Sequence, residues 1–299
     1  MKIVVTGAAG GLGSHVTAEL LSRGHDLVAV DRRGTGDGRP TVVADVTDLT
    51  QMRAACAGCD ALIHLAAIPS PRRAEPDVVF GNNALSTFAV LQAAADVGIE
   101  RAVIASSASA LGMAWAEPTF SPLYAPIDEE HPLRPADHYG LSKEVAERIG
   151  ASIHRQSGMA VTALRFPWIP YGPRLAQAVT AVRSDPAERA PMRDLWSYAL
   201  PEDVAAAAAL AIETPGLGFD VLNVVAPDTL SEIPTEELIA TYHPTTELRA
   251  PLPGSTPAWS TAKAAELLGF TAIHTWRDRL PHLRSNESPP SPTGRPSHP

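Results

Sequence analysis

Cysteine is nearly absent from this sequence of 299 residues, in which only Cys56 and Cys59 occur. One C-x-x-C pair cannot form a disulfide framework, and a cysteine-ligated zinc site would need a second pair. The ten histidines show neither the H-x-x-x-H nor the H-E-x-x-H spacing that places two imidazoles on one helix face. The sequence therefore predicts neither a bound metal nor a fold held by disulfides.

Clustered positive charge and long apolar runs are also missing. The chain carries 24 Lys and Arg against 33 Asp and Glu, a formal net charge of −9, whereas a nucleic-acid binder needs a clustered basic face. No uninterrupted apolar run approaches the roughly 18 residues of a membrane span, and the N-terminus begins a strand without a signal-peptide cleavage region. We therefore expect no nucleic-acid or membrane partner and, by default, a cytoplasmic protein.

Aromatic residues are few, at 5%, but hydrophobic residues make up 45% of the chain. They alternate between short β-branched runs, typical of buried strands, and longer amphipathic stretches, typical of helices. The predicted strands are 2–6, 26–31, 41–44, 61–65, 101–105 and 160–165, and the predicted helices are 12–23, 50–56, 83–97, 138–156, 201–212 and 261–267. This alternation predicts an α/β fold, a Rossmann-type doubly wound parallel sheet with helices on both faces.

A glycine loop follows the first predicted strand. Gly7, Gly10 and Gly13 are spaced G-x-x-G-x-x-G between a strand and a helix, where missing Cβ atoms let backbone N–H groups approach a pyrophosphate. Asp31 ends the second predicted strand, and its carboxylate can accept hydrogen bonds from both hydroxyls of an adenosine ribose. This favours NAD, since a 2′-phosphate would meet a like charge, but Arg32 and the arginine after it leave NADP possible.

Tyr139 and Lys143 lie four residues apart, so a helix would place both on one face. A free tyrosine has a pKa of about 10, and a nearby ammonium or oxidised nicotinamide favours the phenolate. Tyr139 could then exchange a proton with a substrate oxygen. Ser106, Ser107 and Ser109 follow the fifth predicted strand, where hydroxyls point into the cleft of a doubly wound sheet.

Together these segments resemble the extended short-chain dehydrogenase/reductases, the NAD-dependent epimerase/dehydratase group. The resemblance covers about residues 1–280 and rests on TGAAGGLG at 6–13, ADVTD at 44–48, HLAA at 64–67, NNALSTFAVLQAA at 82–94, SSASALG at 106–112, YGLSK at 139–143, YGP at 171–173 and EDVA at 202–205. It implies an NAD(P)-dependent enzyme that forms a homodimer through the helices starting near Asn83 and His138.

The resemblance also implies roles for individual residues. Tyr139 would be the general acid/base, Lys143 would lower its pKa and hold the nicotinamide ribose, and Ser107 would orient the substrate. The expected cofactor contacts are Gly7, Gly10, Gly11, Leu12, Gly13, Asp31, Arg32, Asp45, Val46, Leu65, Ala66, Ala67, Asn83, Tyr139 and Lys143. Asn83 is expected either near the cofactor or at a helix cap.

One stretch departs from the family pattern. Members acting on nucleotide sugars usually carry an asparagine in an R-x-x-N-v-Y-G-P stretch, but here Trp168 stands at that place, with one extra residue. A tryptophan offers a single N–H donor, so the departure favours members similar to uronate dehydrogenases, which oxidise a small sugar acid with free NAD. The expected substrate contacts are Ser107, Ala108, Ser109, Trp168 and Arg174, and Arg174 is a candidate partner for a carboxylate.

Prolines become frequent after Pro167, and the predicted helices become shorter. We expect a dinucleotide-binding domain over 1–166 and a small substrate-binding lobe over 167–284, with some of its segments returning to the sheet. Residues 285–299 are rich in Pro and Ser and are predicted to be a disordered tail. The long loop over 113–134 is expected to cover the site.

Three functions fit these patterns. The first is an NAD-dependent oxidoreductase that transfers a hydride between nicotinamide and a secondary alcohol or carbonyl of a small sugar, sugar acid or related hydroxy compound. The second is a nucleotide-sugar epimerase or dehydratase that retains its NAD. The third is a non-catalytic NAD-sensing protein, against which the complete set of Ser107, Tyr139 and Lys143 argues.

Overall fold

Seven parallel strands form the central sheet of the computed structural model, which describes residues 1–36, 38–188 and 192–283. The strands are β1 (Lys2–Thr6), β2 (Asp26–Asp31), β3 (Thr41–Val43), β4 (Ala61–His64), β5 (Arg101–Ala105), β7 (Ala160–Arg165) and β8 (Phe219–Asn223), in the order β3-β2-β1-β4-β5-β7-β8. Two short strands, β6 (Tyr124–Ala125) and β9 (Glu247–Leu248), form a separate parallel pair. The predicted doubly wound α/β fold is confirmed.

Helices cover both faces of this sheet, and further helices belong to the lobe after residue 167. Their bounds are α1 (Gly11–Ser22), α2 (Leu49–Cys56), α3 (Pro76–Asp96), α4 (His138–Ser157), α5 (Arg174–Ser184), α6 (Pro201–Glu213), α7 (Thr235–Tyr242), α8 (Ala262–Leu268) and α9 (Trp276–Arg279), with 3-10 turns at Ala108–Leu111 and Pro281–Leu283. On one face α1 packs against α6, and on the other α3 packs against α2 and α4.

The alternation of side chains along β1 produces a core on each face of the sheet. Ile3 and Val5 belong to the cluster beneath α1 and α6, whereas Val4 belongs to the cluster beneath α2, α3 and α4. All three side chains are fully buried. Because successive residues of a strand point to opposite faces, a continuous apolar run is what a strand buried on both faces requires.

The direction of strand order reverses beside β1, which positions the site. β2 pairs with one edge of β1 and β4 with the other, so that Val4 lies between Val28 and Leu62. The helix that follows β1 and the helix that follows β4 cover opposite faces of the sheet. Such a reversal opens a crevice at the carboxyl ends of the strands, where ligands of this fold class bind.

Residues after 167 build a lobe and also return to the sheet. A third core contains Trp196, Tyr198, Trp276 and Leu111, all buried, together with side chains of α5 and α7. By contrast, α6 packs on α1, and β8 pairs with β7. The lobe is therefore continuous with the sheet, and the predicted tail, 285–299, lies outside the described residues.

Several elements differ from the sequence prediction. α3 begins at Pro76, not at 83, and β6, β8, β9, α5, α7 and α9 were not predicted at all. α3 is also long and apolar enough to cross a membrane by length and composition, with a mean hydropathy of 1.2, although half of that window is buried inside the protein. The sequence of α3 contains no long uninterrupted apolar run, because Gly81, Asn82 and Asn83 interrupt it. A core helix passes the same test, and α3 packs against α2 and α4.

Candidate active site

The glycine loop joins β1 to α1 at the centre of the crevice. The backbone N–H of Gly10 donates to the Gly7 carbonyl at 3.0 Å, and no side chain caps the start of α1. A Cβ added to Gly13 would lie 2.1 Å from the Gly7 carbonyl oxygen, so only glycine allows the loop to close so tightly onto the helix. The resulting cradle of backbone N–H groups at a helix N-terminus fits the pyrophosphate of a dinucleotide.

A cavity of about 520 Å³ lies beside this loop. Its lining residues are Gly7, Gly10, Asp31, Arg32, Arg33, Val46, Leu65, Ala66, Ala67, Pro69 and Asn82. Asp31 ends β2, and its Oδ2 accepts a hydrogen bond from the Ala9 backbone N–H at 3.0 Å. The carboxylate is thus fixed at the mouth of the glycine loop, next to two arginines. The cavity fits an adenosine ribose, with an acidic acceptor and cationic neighbours in place.

Two of the expected cofactor contacts, Asp45 and Asn83, line neither this cavity nor the larger cavity beside it. The Asp45 carboxylate accepts hydrogen bonds from the backbone N–H and the hydroxyl of Thr47, at 2.9 and 2.8 Å. The Asn83 amide bonds both backbone groups of Ile68 and donates to the Ser142 hydroxyl at 3.1 Å. Asn83 lies inside α3 and not at its cap. It holds the loop after β4 against α4, and its neighbour Asn82 lines the cavity instead.

A second cavity, of about 1050 Å³, shares the glycine loop with the first. It brings together all of the expected substrate and catalytic positions, which are Ser107, Ala108, Ser109, Tyr139, Lys143, Trp168 and Arg174, and it also contains Gly11, Leu12 and Gly13. Arg174 is exposed at the start of α5, whereas Ser107, Tyr139 and Lys143 are buried. The loop over 113–134 contributes Ala114, Trp115 and Glu117 to the lining, so it borders the site.

Local structure around the start of α4 positions Tyr139. The Asp137 carboxylate caps the helix by accepting hydrogen bonds from the backbone N–H groups of Tyr139 and Gly140, both at 2.9 Å. A Cβ on Gly140 would lie 2.4 Å from the Ser109 carbonyl oxygen, so glycine lets α4 approach the 3-10 turn that carries the serines. The Ser107 hydroxyl begins that turn and accepts from the Ser109 N–H at 3.1 Å. Helix and turn thereby present Tyr139 and Ser107 to one cavity.

Lys143 lies one helical turn after Tyr139. Its ammonium donates to the Ala105 carbonyl at 2.8 Å and lies 5.7 Å from the centre of the Tyr139 ring. Burial lowers the pKa of Lys143 to about 8, although the Glu147 carboxylate opposes the shift.

The Tyr139 phenol, whose pKa Lys143 is expected to lower, is itself buried. Burial raises the pKa of Tyr139 to about 12, and the neighbouring Ser107 hydroxyl only partly opposes it. The physical reason is that removal from water disfavours the phenolate more than the surrounding groups stabilise it.

A buried ion pair next to the site joins the end of β7 to α4. Arg165, at the end of β7, makes two hydrogen bonds of 2.8 Å to the Glu147 carboxylate. Ser106 donates to the same carboxylate at 2.6 Å, so its hydroxyl is committed to this network. Both serines that directly follow β5 line the cavity, and Ser107 is the one whose hydroxyl does not bond to Glu147.

Two further charged residues of the cavity matter for its electrostatics. Arg193 is buried, and its guanidinium donates to the Glu117 carboxylate at 2.6 Å. Asp194 also lines the cavity. The sequence gave no signal for Asp194, because its placement depends on the packing of the lobe. In the described ranges, no group of three or more His, Cys, Asp or Glu side chains is placed to hold a metal ion.

Comparisons with known proteins agree with this geometry. A family model described as the NAD dependent epimerase/dehydratase family matches residues 3–224. An L-arabinose 1-dehydrogenase (NAD(P)(+)) of Haloferax volcanii is 35% identical over 56% of this chain and 67% of its own length. A uronate dehydrogenase of Pseudomonas syringae pv. tomato is 28% identical over 55% of this chain and 58% of its own. The chain thus aligns with about three fifths to two thirds of these relatives.

Among solved structures, MoeE5 in complex with UDP-glucose and NAD is similar, with a TM-score of 0.69 and 26% identity over 94% of this chain and 96% of that one. The match of the family model covers most of the chain, and it includes the glycine loop, Asp31, Ser107, Tyr139 and Lys143. The chain therefore belongs to the NAD-dependent epimerase/dehydratase family, and it is an NAD-dependent enzyme of the extended short-chain dehydrogenase/reductase type.

Proposed function

We propose that this protein is an NAD-dependent oxidoreductase acting on a secondary alcohol or carbonyl of a small sugar, sugar acid or related hydroxy compound. One observation carries the proposal: Ser107, Tyr139 and Lys143 line a single cavity that also includes the glycine loop. A hydroxyl that orients an oxygen, a phenol that exchanges a proton and an ammonium beside that phenol are the groups that such a reaction needs.

In this proposal Tyr139 takes the proton of the substrate hydroxyl as the alcohol is oxidised, and Ser107 holds the same oxygen. Bound NAD supplies the hydride acceptor. The Lys143 ammonium lies beside the phenol ring, and a nearby cation favours the phenolate. The buried surroundings of Tyr139 and Lys143 exclude water from the oxygen at which the proton moves.

A dehydrogenase that exchanges free cofactor is favoured by the L-arabinose and uronate dehydrogenases named above. Trp168 supports the same choice. It lines the cavity and packs against the core of the lobe, so its bulk occupies the place of the asparagine expected in enzymes of nucleotide sugars. The alternative is a nucleotide-sugar epimerase that retains its NAD. The size of the cavity, about 1050 Å³, and the nucleotide sugar named in the MoeE5 complex favour that alternative.

The test is the absorbance of reduced nicotinamide when the protein is mixed with excess NAD, or in parallel NADP, and a panel of aldoses, uronic acids and simple secondary alcohols. We expect growth of the signal beyond one equivalent per protein, faster with NAD. Tyr139→Phe should still bind NADH yet lose turnover by about 10²-fold or more, since general acid–base catalysis contributes 10²–10⁴-fold. A signal that stops at one equivalent, together with conversion of nucleotide sugars, would replace this proposal by the epimerase.

We also infer that two copies of the chain associate through α3 and α4. Val78, Leu85 and Phe88 are 48%, 51% and 44% exposed, and their spacing places them on one face of α3. Leu141 of α4 is also exposed, at 42%. On α4, the exposed Arg148 forms an ion pair with the partly buried Glu144 at 2.8 Å, which another protein surface accommodates and a lipid interior does not. A second copy of this face is therefore the partner that fits.

A further inference from the structure

In the part of the chain that the structure describes, one carboxylate of the substrate cavity has no hydrogen-bond partner. Asp194 is half-buried and lines the cavity together with Tyr139 and Ser107, and its charge contributes to the raised pKa of Tyr139. Burial raises the pKa of Asp194 itself to about 7, against the opposing charge of Arg193. Within the described residues, nothing hydrogen-bonds to this carboxylate, so its oxygens are available to a ligand. The mechanism proposed above does not use this group.

The backbone around Asp194 is held in an uncommon conformation. Leu195 and Trp196 both have φ of 54°, in the left-handed region that large side chains rarely adopt. Both side chains are fully buried, and the Trp196 indole donates to the Pro186 carbonyl at 2.9 Å. Such backbone strain persists only where the surroundings enforce it, and it is concentrated at functional sites. The core of the lobe thus fixes the segment that presents Asp194 to the cavity.

The charges near Asp194 distinguish between classes of substrate. Lys143 and Arg193 are buried cations of this cavity: Lys143 donates to the Ala105 carbonyl, and Arg193 is already bonded to the Glu117 carboxylate and to the Ala114 carbonyl. A substrate carboxylate that entered beside Tyr139 would meet the like charge of Asp194 and a guanidinium that is already paired. Sugar hydroxyls, by contrast, are donors, and an ionised carboxylate offers two oxygens that can accept from adjacent hydroxyls.

We propose that Asp194 is the specificity residue of this site, and that it selects a neutral sugar by accepting hydrogen bonds from its hydroxyls while it disfavours sugar acids. This inference rests on the proposed oxidoreductase function and narrows its substrate class. It departs from the expectation that Arg174 pairs with a substrate carboxylate, since Arg174 is exposed at the rim of the cavity.

The test compares D-galactose with D-galacturonate, which differ only in whether carbon 6 is an alcohol or a carboxylate. We expect the wild-type protein to prefer galactose. Asp194→Asn keeps the size of the side chain and removes its charge, so it should lower kcat/KM for galactose about tenfold or more, mainly through KM, as expected for loss of a hydrogen bond to a charged group. It should not lower kcat/KM for galacturonate. Asp185→Asn, an exposed position outside the cavity lining, is the matched control and should change neither value.

Calorimetric binding of the same two sugars to protein saturated with NADH separates this inference from the proposed function. Galactose binding that weakens in Asp194→Asn but not in Asp185→Asn supports the role of Asp194. This holds even if the protein oxidises neither sugar; the oxidoreductase proposal then fails, and the inference about Asp194 stands. Wild-type binding of neither sugar, a preference for galacturonate, or equal losses for both sugars in Asp194→Asn would overturn the inference, whatever the enzyme oxidises.

Discussion

Lys143 and Tyr139 show how burial acts on single residues of this site. Both are nearly inaccessible to water, and removal from water favours the neutral form of each group. It therefore lowers the pKa of the ammonium to about 8 and raises that of the phenol to about 12. Lys143 keeps one hydrogen bond, to the Ala105 carbonyl. A buried, charged lysine is a cost in folding free energy that function explains and stability does not.

Because burial of the charged Lys143 ammonium destabilises the folded protein, we predict that Lys143→Met changes the free energy of unfolding by an amount that depends on pH. The native pKa of Lys143, about 8, lies below the unfolded value near 10.5, so the unfolded state binds more protons between these values. The wild-type free energy of unfolding should therefore rise with pH from about 8 to 10.5 relative to the variant. Below pH 8 the wild type carries the full cost of burying the charged lysine, on the order of 3 kcal/mol for a pKa shift of this size. The variant avoids this cost but loses the hydrogen bond to the Ala105 carbonyl, which contributes about 1 kcal/mol.

Urea unfolding of the cofactor-free protein at pH 7 and pH 9.5 measures this effect. Lys143→Met should be the more stable protein at pH 7, should lose most of that advantage at pH 9.5, and should be nearly inactive. Lys263→Met is the control, since Lys263 is partly exposed in an ion pair with Asp220 at 3.1 Å. A stability difference between Lys143→Met and wild type that is the same at both pH values would contradict the argument.

Elements with strong local patterns were predictable from sequence. β1 and β7 lie where their β-branched runs placed them, because a strand buried on both faces must be apolar throughout. The start of α3 was not, because Gly81, Asn82 and Asn83 break the helical pattern, and only packing against α2 and α4 extends the helix back to Pro76. β8 pairs with β7 across more than 50 residues of chain, and no local signal encodes such a pairing.

The residues of the candidate site likewise include some that the sequence predicted and some that it did not. The glycine loop, Asp31, Ser107, Tyr139 and Lys143 all line the two cavities, because each follows a recognisable strand or begins a recognisable helix. Asp194 could not be predicted, since the left-handed backbone of the two residues after it is set by their burial in the lobe. Sequence motifs thus predicted the residues that line the crevice, whereas the position of Asp194, the proposed specificity residue, depends on tertiary packing.

The glycine loop gives a prediction for a single element. Gly13→Ala would place a methyl group 2.1 Å from the Gly7 carbonyl oxygen, so the loop must open and its N–H groups must move away from a pyrophosphate. We expect NADH binding, measured by calorimetry, to weaken by about tenfold or more, as for the loss of a charge-assisted hydrogen bond. Gly218→Ala is the control, because its methyl would lie 3.6 Å from the His154 ring, an ordinary contact. NADH affinity within twofold of wild type in Gly13→Ala would refute the tight-loop argument.

At the scale of the whole molecule, α3 has two sides with different roles. Its inner side holds the loop after β4 through Asn83, at the edge of the cofactor cavity. Its outer side carries the exposed stripe of Val78, Leu85 and Phe88. If two copies meet through this stripe, the contact lies on the same helix that supports the cofactor site. Association of the copies and binding of the cofactor would then both depend on the position of α3.

This arrangement predicts a dimer that a single charge disrupts. Light scattering after size exclusion should give twice the mass of one chain for the wild type. Leu85→Glu should give the mass of a single chain, because an uncompensated carboxylate in the centre of an apolar interface destabilises the dimer. Val43→Glu is the matched control, since Val43 is 68% exposed on the edge strand β3, away from α3 and α4. It should remain dimeric. A monomeric wild type, or dissociation by Val43→Glu and not by Leu85→Glu, would show that the stripe on α3 is not the contact between copies.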